Sequence, residues 1–345
     1  MVNIFLTGAT GYIGGTVLSL LSKSHPEYAI RALVRDSAKG KLITGTFKNV
    51  EVVAGDLDND TVLSHEVSNA DVVLHLASTS HLKSVETIHK ALSSRADQKP
   101  SHWIQVSGAS VLAAAELADK NRTPGDGSDL VFNDLTGIAE IRSIIQRHPS
   151  RAVDNYILKV AADEPKINTA LVFPPIIYGK GLGPANTRSV QIPALVEATL
   201  KRKRGVQVGK GLSRWGNVHV EDVSQLFAKL VEKAVEGKSN AQVWNENGLY
   251  LTGVGEISFG EISKLVATAA SKKGLIPSDE VEVLGPEEAN TVLPHGAVLF
   301  GTNARSEALR GKEVVGWAPA GESLQDEIPK AVEREVEKET QHSEL

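Results

Sequence analysis

Three glycines near the start of the chain have types and spacing that suit phosphate binding. Gly8, Gly11 and Gly14 follow a short apolar run that predicts a buried strand, and an apolar helix face comes after them. A tight turn needs a residue that tolerates a positive φ, and a phosphate can approach the backbone only where no Cβ intervenes. The helix N-terminus then offers free N–H groups and a partial positive charge to a pyrophosphate. This context favours a dinucleotide site over a glycine turn that binds nothing.

A second pair of residues bears on which dinucleotide would bind. The next predicted strand, over residues 28–34, ends in Arg35 and Asp36. The adenosine ribose lies at this position in dinucleotide-binding folds, where a carboxylate accepts from a free 2′-OH and an arginine pairs with a 2′-phosphate. Both residue types are present. The residues alone therefore leave NAD(H), NADP(H) and a merely solvated arginine open.

The rest of the chain supplies the elements that must position these residues. Apolar runs predict further strands at 50–54, 71–76, 102–106 and 167–173, with helical stretches between them. This alternation predicts an α/β fold with a Rossmann-type, doubly wound parallel sheet. Its ligand crevice lies at the carboxyl ends of the strands. We therefore expect the backbone of Leu76, Ala77 and Ser78 to cover the diphosphate and ribose of the cofactor.

The stretch Thr7-Gly8-Ala9-Thr10-Gly11-Tyr12-Ile13-Gly14 resembles the cofactor motif of the atypical and extended short-chain dehydrogenase/reductases. That superfamily includes NAD-dependent epimerase/dehydratase-like enzymes and NmrA-like regulators. The resemblance covers about residues 1–235 and implies cofactor contacts from Gly8, Thr10, Gly11, Tyr12, Ile13 and Gly14. It also favours NADP(H) over NAD(H), because Val34-Arg35-Asp36 is similar to the strand end at which the arginine of NADP-dependent relatives faces the phosphate.

Other cofactor contacts are implied by the same resemblance. It places Asp56 and Leu57 at the adenine, although Asp56 or Asp58 could instead cap the next short helix. The segment Pro174-Pro175-Ile176 is similar to the family segment that passes beside the nicotinamide. Its backbone is expected to hold the carboxamide there.

The catalytic pair of the family, Tyr-x-x-x-Lys, has no counterpart in residues 110–170. The helix that should carry the pair matches best at 147–155, where Arg151 takes the lysine position and Arg147 or His148 lies near the tyrosine position. Arginine can hold ribose hydroxyls but cannot donate a proton near neutral pH, whereas histidine can. The alternative for His148 is a surface histidine in a His-Pro turn.

A serine or threonine at the end of the fifth strand binds the substrate oxygen in the family. Ser107 and Ser110 flank the expected position, which is Gly108. The candidate catalytic residues are therefore Ser107, Ser110, His148 and Arg151. Ser107 and Arg151 are also expected to contact the cofactor.

The order of the predicted strands and helices also indicates a division of the chain into two parts. Residues 1–180 and 206–245 are expected to form the NADP-binding domain, and residues 181–205 and 246–345 a smaller α/β lobe on the substrate side. Short strands are predicted at 243–245 and 281–284.

Trp215 is expected at the pocket wall, where it would suit an apolar or aromatic small-molecule substrate.

Composition excludes several classes of protein. The chain has no cysteine, so disulfides, thiolate catalysis and cysteine–zinc sites are excluded, and no metal site is expected. The net charge of −5 gives no reason to expect nucleic acid or an anionic membrane surface. No apolar run approaches the ~20 residues of a membrane span, and no basic leader precedes the first strand. We expect a cytoplasmic protein, and the resemblance allows a homodimer.

Three functions stay open at this point. The first is an NADP(H)-dependent oxidoreductase acting on a small carbonyl or alcohol substrate with an unorthodox proton relay. The second is a non-catalytic, NmrA-like protein that senses NADP or serves as a scaffold. The third is a non-redox isomerase or lyase that retains the cofactor.

Overall fold

The computed structural model describes residues 2–96, 99–237 and 240–343. The strands, numbered in chain order, are β1 (Asn3–Thr7), β2 (Ala29–Val34), β3 (Val50–Ala54), β4 (Val72–His75), β5 (Ser101–Val106), β6 (Val131–Asn133), β7 (Ile167–Phe173), β8 (Ile176–Tyr178), β9 (Gly205–Val208), β10 (Arg214–His219), β11 (Leu249–Leu251), β12 (Gly255–Ser258), β13 (Val281–Leu284) and β14 (Arg305–Glu307).

Helices separate most of these strands. In chain order they are α1 (Tyr12–Ser24), α2 (Ser37–Thr46), α3 (Asp60–Ser68), α4 (Leu82–Ser93), α5 (Ala114–Ala118), α6 (Ile138–Arg147), α7 (Ala152–Asp163), α8 (Gln191–Arg202), α9 (Val220–Val235), α10 (Phe259–Lys272), α11 (Pro286–Val292), α12 (Gly296–Leu299), α13 (Arg310–Val315) and α14 (Leu324–Ser343).

Seven parallel strands form the main sheet, in the order β11-β7-β5-β4-β1-β2-β3. Every residue of the central strands β5 and β7 is buried, as expected where helices cover both faces of a parallel sheet. Helix α1 packs against α9, and α3 and α7 pack against α4. The predicted Rossmann-type, doubly wound α/β fold is confirmed.

Smaller sheets lie beyond the main one. Strand β10 pairs in parallel with β8 and antiparallel with β12, β9 pairs with β13, and β6 pairs with β14. Helices α8, α10 and α14 pack against one another around this part of the chain. Strand β11 falls within the range 246–345 that was expected in the smaller lobe, yet it pairs with β7 at the edge of the main sheet.

The prediction of a strand at 243–245 is wrong. Val243 and Trp244 are each 1% exposed, so their apolar side chains reflect burial in the core and not pairing in a sheet. Asn245 has a φ of +59°, which ends the extended run and begins a 3₁₀ turn at Asn245–Asn247. Within the described residues, no helix combines the length and the apolar character that crossing a membrane would require.

Candidate active site

The glycine turn between β1 and α1 is pressed against the neighbouring strand β4. Gly8 has a φ of +84°, and a Cβ on it would lie 2.6 Å from the carbonyl carbon of Leu76. A Cβ on Gly14 would lie 2.1 Å from the carbonyl oxygen of Gly8. Only glycine allows the strand, the turn and the helix to approach one another this closely.

Gly11 serves a different purpose from the other two glycines. A Cβ on Gly11 would meet only the carbonyl oxygen of Gly8, at 3.2 Å, so internal packing does not exclude a side chain there. Gly11 is the N-cap of α1, and no side chain of the described residues caps that helix. The residue lines a cavity. Uncapped N–H groups beside a bare glycine fit the pyrophosphate of a dinucleotide.

This cavity has a volume of about 380 Å³ and lies at the carboxyl ends of β1 to β4. The predicted residues that line it are Gly8, Thr10, Gly11, Arg35, Asp56, Leu57, Leu76 and Ala77. The lining residues that were not among the predicted cofactor contacts are Thr7, Leu33, Val34, Gly55, Asp58 and His81. The remaining candidates near the turn, Tyr12, Ile13, Gly14 and Ser78, do not line it among the described residues.

The two residues at the end of β2 have separate roles. Asp36 is the N-cap of α2, and its Oδ1 accepts from the backbone N–H groups of Ala38 and Lys39 at 2.9 and 3.2 Å. Arg35 is exposed, lines the cavity and has no ion-pair or hydrogen-bond partner within the described residues. The cationic group is therefore available to a ligand, whereas the carboxylate is engaged in holding the helix.

The capping alternative for Asp56 and Asp58 is wrong. Asn59 caps α3, its Oδ1 accepting from the N–H of Val62 at 3.1 Å. Asp56 instead closes a local turn, with Oδ1 accepting from the N–H of Asp58 at 3.0 Å. Because that contact uses one carboxylate oxygen, Asp56 keeps acceptor capacity toward the cavity. Its expected place at the adenine stays a prediction.

A buried chain of hydrogen bonds connects three residues of the cavity lining, His81, Thr7 and Ala77. Ser84 Oγ donates to the carbonyl oxygen of His81 at 2.9 Å and lies 3.1 Å from Nε2 of His75. On the other side of that ring, Nδ1 lies 2.7 Å from Oγ1 of Thr7, which in turn accepts from the N–H of Ala77 at 3.3 Å. Each donor finds an acceptor when His75 is neutral and carries its proton on Nε2. Burial lowers the pKa of His75 to about 3, which fits this form.

A second polar cluster lies at the next strand end, that of β5. Arg151 donates from Nη2 to Oγ of Ser107 at 2.9 Å and from Nη1 to Oγ of Ser110 at 3.2 Å. The N–H of Ala109 donates to the carbonyl oxygen of Pro174 at 2.9 Å, which ties this loop to the segment after β7. The structure thus brings together three of the four predicted catalytic residues. Their roles stay predictions.

Asp154 belongs to the same cluster and was not predicted. It lies in the first turn of α7, is 1% exposed and accepts from Nε of Arg151 at 2.8 Å, while Nη2 of Arg151 lies at ion-pair distance, 2.7 Å. Both contacts reach the same oxygen, Oδ2. The other oxygen, Oδ1, is buried without a hydrogen bond of normal geometry within the described residues. Burial raises the pKa of Asp154, while the charge of Arg151 and the nearby Ser107 hydroxyl oppose that rise.

The expectation of one helix over 147–155 is wrong. Helix α6 ends at Arg147, and α7 begins at Ala152 with Arg151 as its N-cap. Pro149 explains the break, because the residue before a proline is pushed out of the helical region. The side chain of His148 has no hydrogen-bond partner among the described residues, and its backbone carbonyl accepts from the N–H of Arg151 at 2.9 Å. Arg151 therefore reaches the serines from a helix N-terminus, and His148 does not join them.

Residues on the substrate side also differ from expectation. Trp215 is 3% exposed, and its Nε1 donates to the carbonyl oxygen of Thr302 at 2.9 Å. It is a buried core residue of strand β10 and offers no exposed aromatic wall. Pro174, Pro175 and Ile176 are buried where β7 passes into β8. Their proposed contact with a nicotinamide stays a prediction.

Comparisons with known proteins agree with this fold. The NmrA-like family matches residues 2–94. The structure of dTDP-glucose 4,6-dehydratase from Bacillus anthracis has a TM-score of 0.65 and 18% identity, covering 98% of this chain and 97% of that one. For UDP-glucuronic acid 4-epimerase from Bacillus cereus the TM-score is 0.62 and the identity 14%, covering 96% and 99%. The oxidase ucsJ from Acremonium sp. is 33% identical over 344 residues, covering 97% of this chain and 98% of its own. The chain belongs to the atypical and extended short-chain dehydrogenase/reductase superfamily.

For a member of this superfamily, the cluster at Arg151 departs from the expected catalytic pair, because each of the five tyrosines is engaged elsewhere. The hydroxyls of Tyr12, Tyr178 and Tyr250 donate to the carbonyl oxygens of Gly179, Glu322 and Val243, Tyr28 stacks on His25, and the Tyr156 hydroxyl lies 2.8 Å from Nδ1 of His89. No tyrosine among the described residues contacts Ser107, Ser110 or Arg151.

Proposed function

We propose that the protein is an NADP(H)-dependent oxidoreductase that transfers hydride between the cofactor and a small carbonyl or alcohol substrate. The observation that carries this proposal is the adjacency of two sites along one sheet edge. The glycine cavity lies at the ends of β1 to β4, and the Arg151 cluster lies at the end of β5, which pairs with β4. The oxidase ucsJ, an extensively similar relative, supports redox chemistry. The two bacterial neighbours, whose structures contain NAD, support a nicotinamide cofactor.

The residues present fit a dinucleotide phosphorylated on its adenosine ribose. Arg35 would pair with the 2′-phosphate, because it is unpaired and lines the cavity while Asp36 caps a helix. The uncapped N-terminus of α1 would bind the pyrophosphate next to Gly11. When bound, the cofactor supplies or accepts the hydride.

The cluster at the end of β5 would act on the substrate. Ser107 and Ser110 carry the hydroxyls that can donate a hydrogen bond to a substrate oxygen, and Arg151 fixes their positions with its planar fork. A permanently charged guanidinium beside that oxygen would also stabilise the negative charge that develops on it.

The first test is a fluorescence titration with NADPH and NADP⁺, followed by a panel of aldehydes, ketones and quinones. We expect tight binding of NADPH and turnover of at least one member of the panel. Absence of binding would refute the cofactor assignment. Binding without turnover on any carbonyl would refute the oxidoreductase.

The cofactor preference has its own test in Arg35→Glu. We expect NADPH affinity to fall at least ~30-fold, because a charge-assisted phosphate contact is replaced by repulsion, while NADH affinity changes little. Lys41→Glu is the matched control, since Lys41 is exposed on α2 and does not line the cavity. Equal losses for both cofactors in Arg35→Glu would contradict the assignment.

A second candidate is an NADP-sensing protein without catalysis. It is favoured by the match to the NmrA-like family and by the absence of a tyrosine from the Arg151 cluster within the described residues. It predicts tight binding, no turnover, and a protein partner whose affinity depends on the redox state of the cofactor.

A further inference from the structure

Hydride transfer to a carbonyl requires a proton source for the substrate oxygen, and the superfamily's tyrosine is missing from the cluster. The arginine that takes the lysine position cannot supply a proton near neutral pH. His148 has no side-chain contact with the cluster in the described part of the chain. One titratable carboxyl does contact it directly, namely Asp154.

The contacts of Asp154 leave one of its oxygens unused. Arg151 directs both Nε and Nη2 at Oδ2, and this is not the fork in which each carboxylate oxygen receives its own donor. The second oxygen, Oδ1, is shielded from solvent and has no normal hydrogen bond within the described residues. A buried, unpartnered carboxylate oxygen is costly when charged, and binding a proton on Oδ1 relieves that cost.

Ser107 lies close to this carboxyl, because Nη2 of Arg151 is 2.9 Å from Oγ of Ser107 and 2.7 Å from Oδ2 of Asp154. Its Oγ accepts from Nη2 of Arg151, so its own hydrogen can point either to Asp154 or to a substrate oxygen. The serine is 4% exposed and lies at the strand end where a ligand would enter. Because the Ser107 oxygen accepts from Arg151 while its own O–H is free to donate, the hydroxyl can pass a proton from Asp154 to a substrate oxygen or back.

We propose that Asp154 holds the proton on Oδ1 and that Ser107 relays it between Asp154 and the substrate oxygen, in place of the superfamily's tyrosine. This inference rests on the proposed function. In the reducing direction a C–H bond forms from the hydride of NADPH, the carbonyl π bond breaks, and NADPH is oxidised to NADP⁺. The substrate oxygen takes the hydrogen of Ser107, and Ser107 takes the proton of Asp154. Asp154 recovers a proton from solvent through Ser107 after the alcohol leaves.

A merely positioning role for Asp154 makes different predictions. If the carboxylate only orients Arg151, its loss should weaken the hold of Arg151 on the cofactor and reduce NADPH affinity together with turnover. If Asp154 supplies the proton, its loss should reduce turnover and leave NADPH affinity nearly unchanged.

Asp154→Asn separates these roles, because the amide keeps the size and an oxygen acceptor for Arg151 but carries no transferable acid proton. We expect NADPH affinity within about threefold of the parent and kcat reduced about 100-fold or more, the usual contribution of a general acid. In the parent we expect kcat to rise toward low pH, because the acid form of Asp154 is the one that supplies the proton, and this rise should be absent from Asp154→Asn. Ser107→Ala should cause a similar loss, and the double variant should be no worse than either single one, because the two residues act as a unit.

Asp163→Asn is the matched control, since Asp163 lies exposed at the other end of α7. Circular dichroism and thermal unfolding check that each variant folds, and Ser107→Ala keeps the test decisive if Asp154→Asn does not. Unchanged kcat and pH profile in a folded variant would overturn the relay. A loss of NADPH affinity that matches the loss of turnover would overturn it in favour of positioning.

Infrared spectroscopy detects a protonated carboxyl without depending on turnover. Because other buried carboxyls such as Asp134 also have a raised pKa, the signal is read as a difference between proteins. We expect one protonated-carboxyl band of the parent, which titrates with pH with and without NADPH, to be lost in Asp154→Asn and kept in Asp163→Asn. If the parent turns over no carbonyl but shows this band, the proposed function fails while the protonated carboxyl stands. If the parent turns over substrate and the band is missing, the relay fails while the oxidoreductase stands.

Discussion

His75, which is hydrogen-bonded to the cavity-lining residue Thr7, should make the folded protein less stable in acid. His75 is completely buried, and burial lowers its pKa from 6.5 to about 3. The unfolded chain therefore binds a proton at this residue below about pH 6.5, while the folded chain stays unprotonated until about pH 3. A histidine with a depressed folded-state pKa contributes stability that is fully present above the unfolded value. That stability is lost as the pH falls through this window.

The magnitude follows from the width of the window. Acidification from pH 8 to pH 5 ends about 1.5 pH units below the unfolded-state pKa of the histidine. Over that interval the unfolded chain is protonated at this residue and the folded chain is not. The free energy of unfolding therefore falls by about 2 kcal/mol. His102 adds a similar loss, because burial lowers its pKa to about 4. Replacing His75 by asparagine keeps an oxygen that can accept from Thr7 and removes the titrating ring.

The assay is urea unfolding of the parent and of His75→Asn at pH 8 and at pH 5, followed by circular dichroism. We expect His75→Asn to be less stable at pH 8, because it loses packing, but to lose about 2 kcal/mol less than the parent on acidification. His65→Asn is the control, since His65 is exposed on α3 and should leave the pH difference unchanged. An identical acid loss in the parent and in His75→Asn would refute the reasoning.

Three further expectations can be checked with simple measurements. Gly11→Val should weaken NADPH binding at least ~100-fold by filling the approach to the helix N-terminus, whereas Gly45→Val, at a site with no neighbour within 4 Å, should leave binding unchanged in the same titration. Asp134→Ala should cost at least ~3 kcal/mol in urea unfolding, because the buried carboxylate accepts from the N–H groups of Leu251, Leu309 and Arg310. Arg151→Lys should lower kcat at least ~10-fold in the carbonyl assay, because an ammonium cannot reproduce a fork that spans two serines.

The main sheet was predictable because its signals are local. The strands at 50–54 and 167–173 match β3 and β7, since a buried parallel strand must be a short apolar run whatever surrounds it. The same rule fails at Val243 and Trp244, where burial comes from packing beside His102 and not from strand pairing. Apolar character reports burial, and only the surrounding turn residues separate a strand from a packed turn.

Much of the cavity lining was also predictable, because its residues follow directly after strand ends. Arg35 and Ala77 needed only the identification of β2 and β4 to be placed at the cavity. His81 was not among the predicted contacts, since its position depends on a hydrogen-bond chain through Ser84 and His75. That chain joins two strands and a helix, and no spacing in the sequence reveals it.

The Arg151 cluster was predictable in three of its members, Ser107, Ser110 and Arg151, but not in its geometry. Aligning Arg151 with a lysine on a continuous helix selected a residue that does contact both serines, although α6 ends four residues before it. One signal, Pro149, could have located the break. Asp154 carried no comparable signal, because an acid in the first turn of a helix is common for reasons of the helix dipole alone.

The break before α7 has a consequence for how an arginine can stand where relatives have a lysine. On a continuous helix, residues four apart share one face, so the lysine position and the tyrosine position would point together into the crevice. Here the N-cap position frees Arg151 from that face and lets its guanidinium span Asp154 and both serines. A fixed positive charge is thereby kept at the end of β5. On a continuous helix, Arg147 would share the face of Arg151, but here Arg147 is exposed and its Nε donates to the backbone carbonyl of Ser143 in α6. Arg147 supplies no acid on that side, and the relay we propose therefore draws the substrate's proton from behind the serine, where the described residues contain one carboxyl in contact with the cluster.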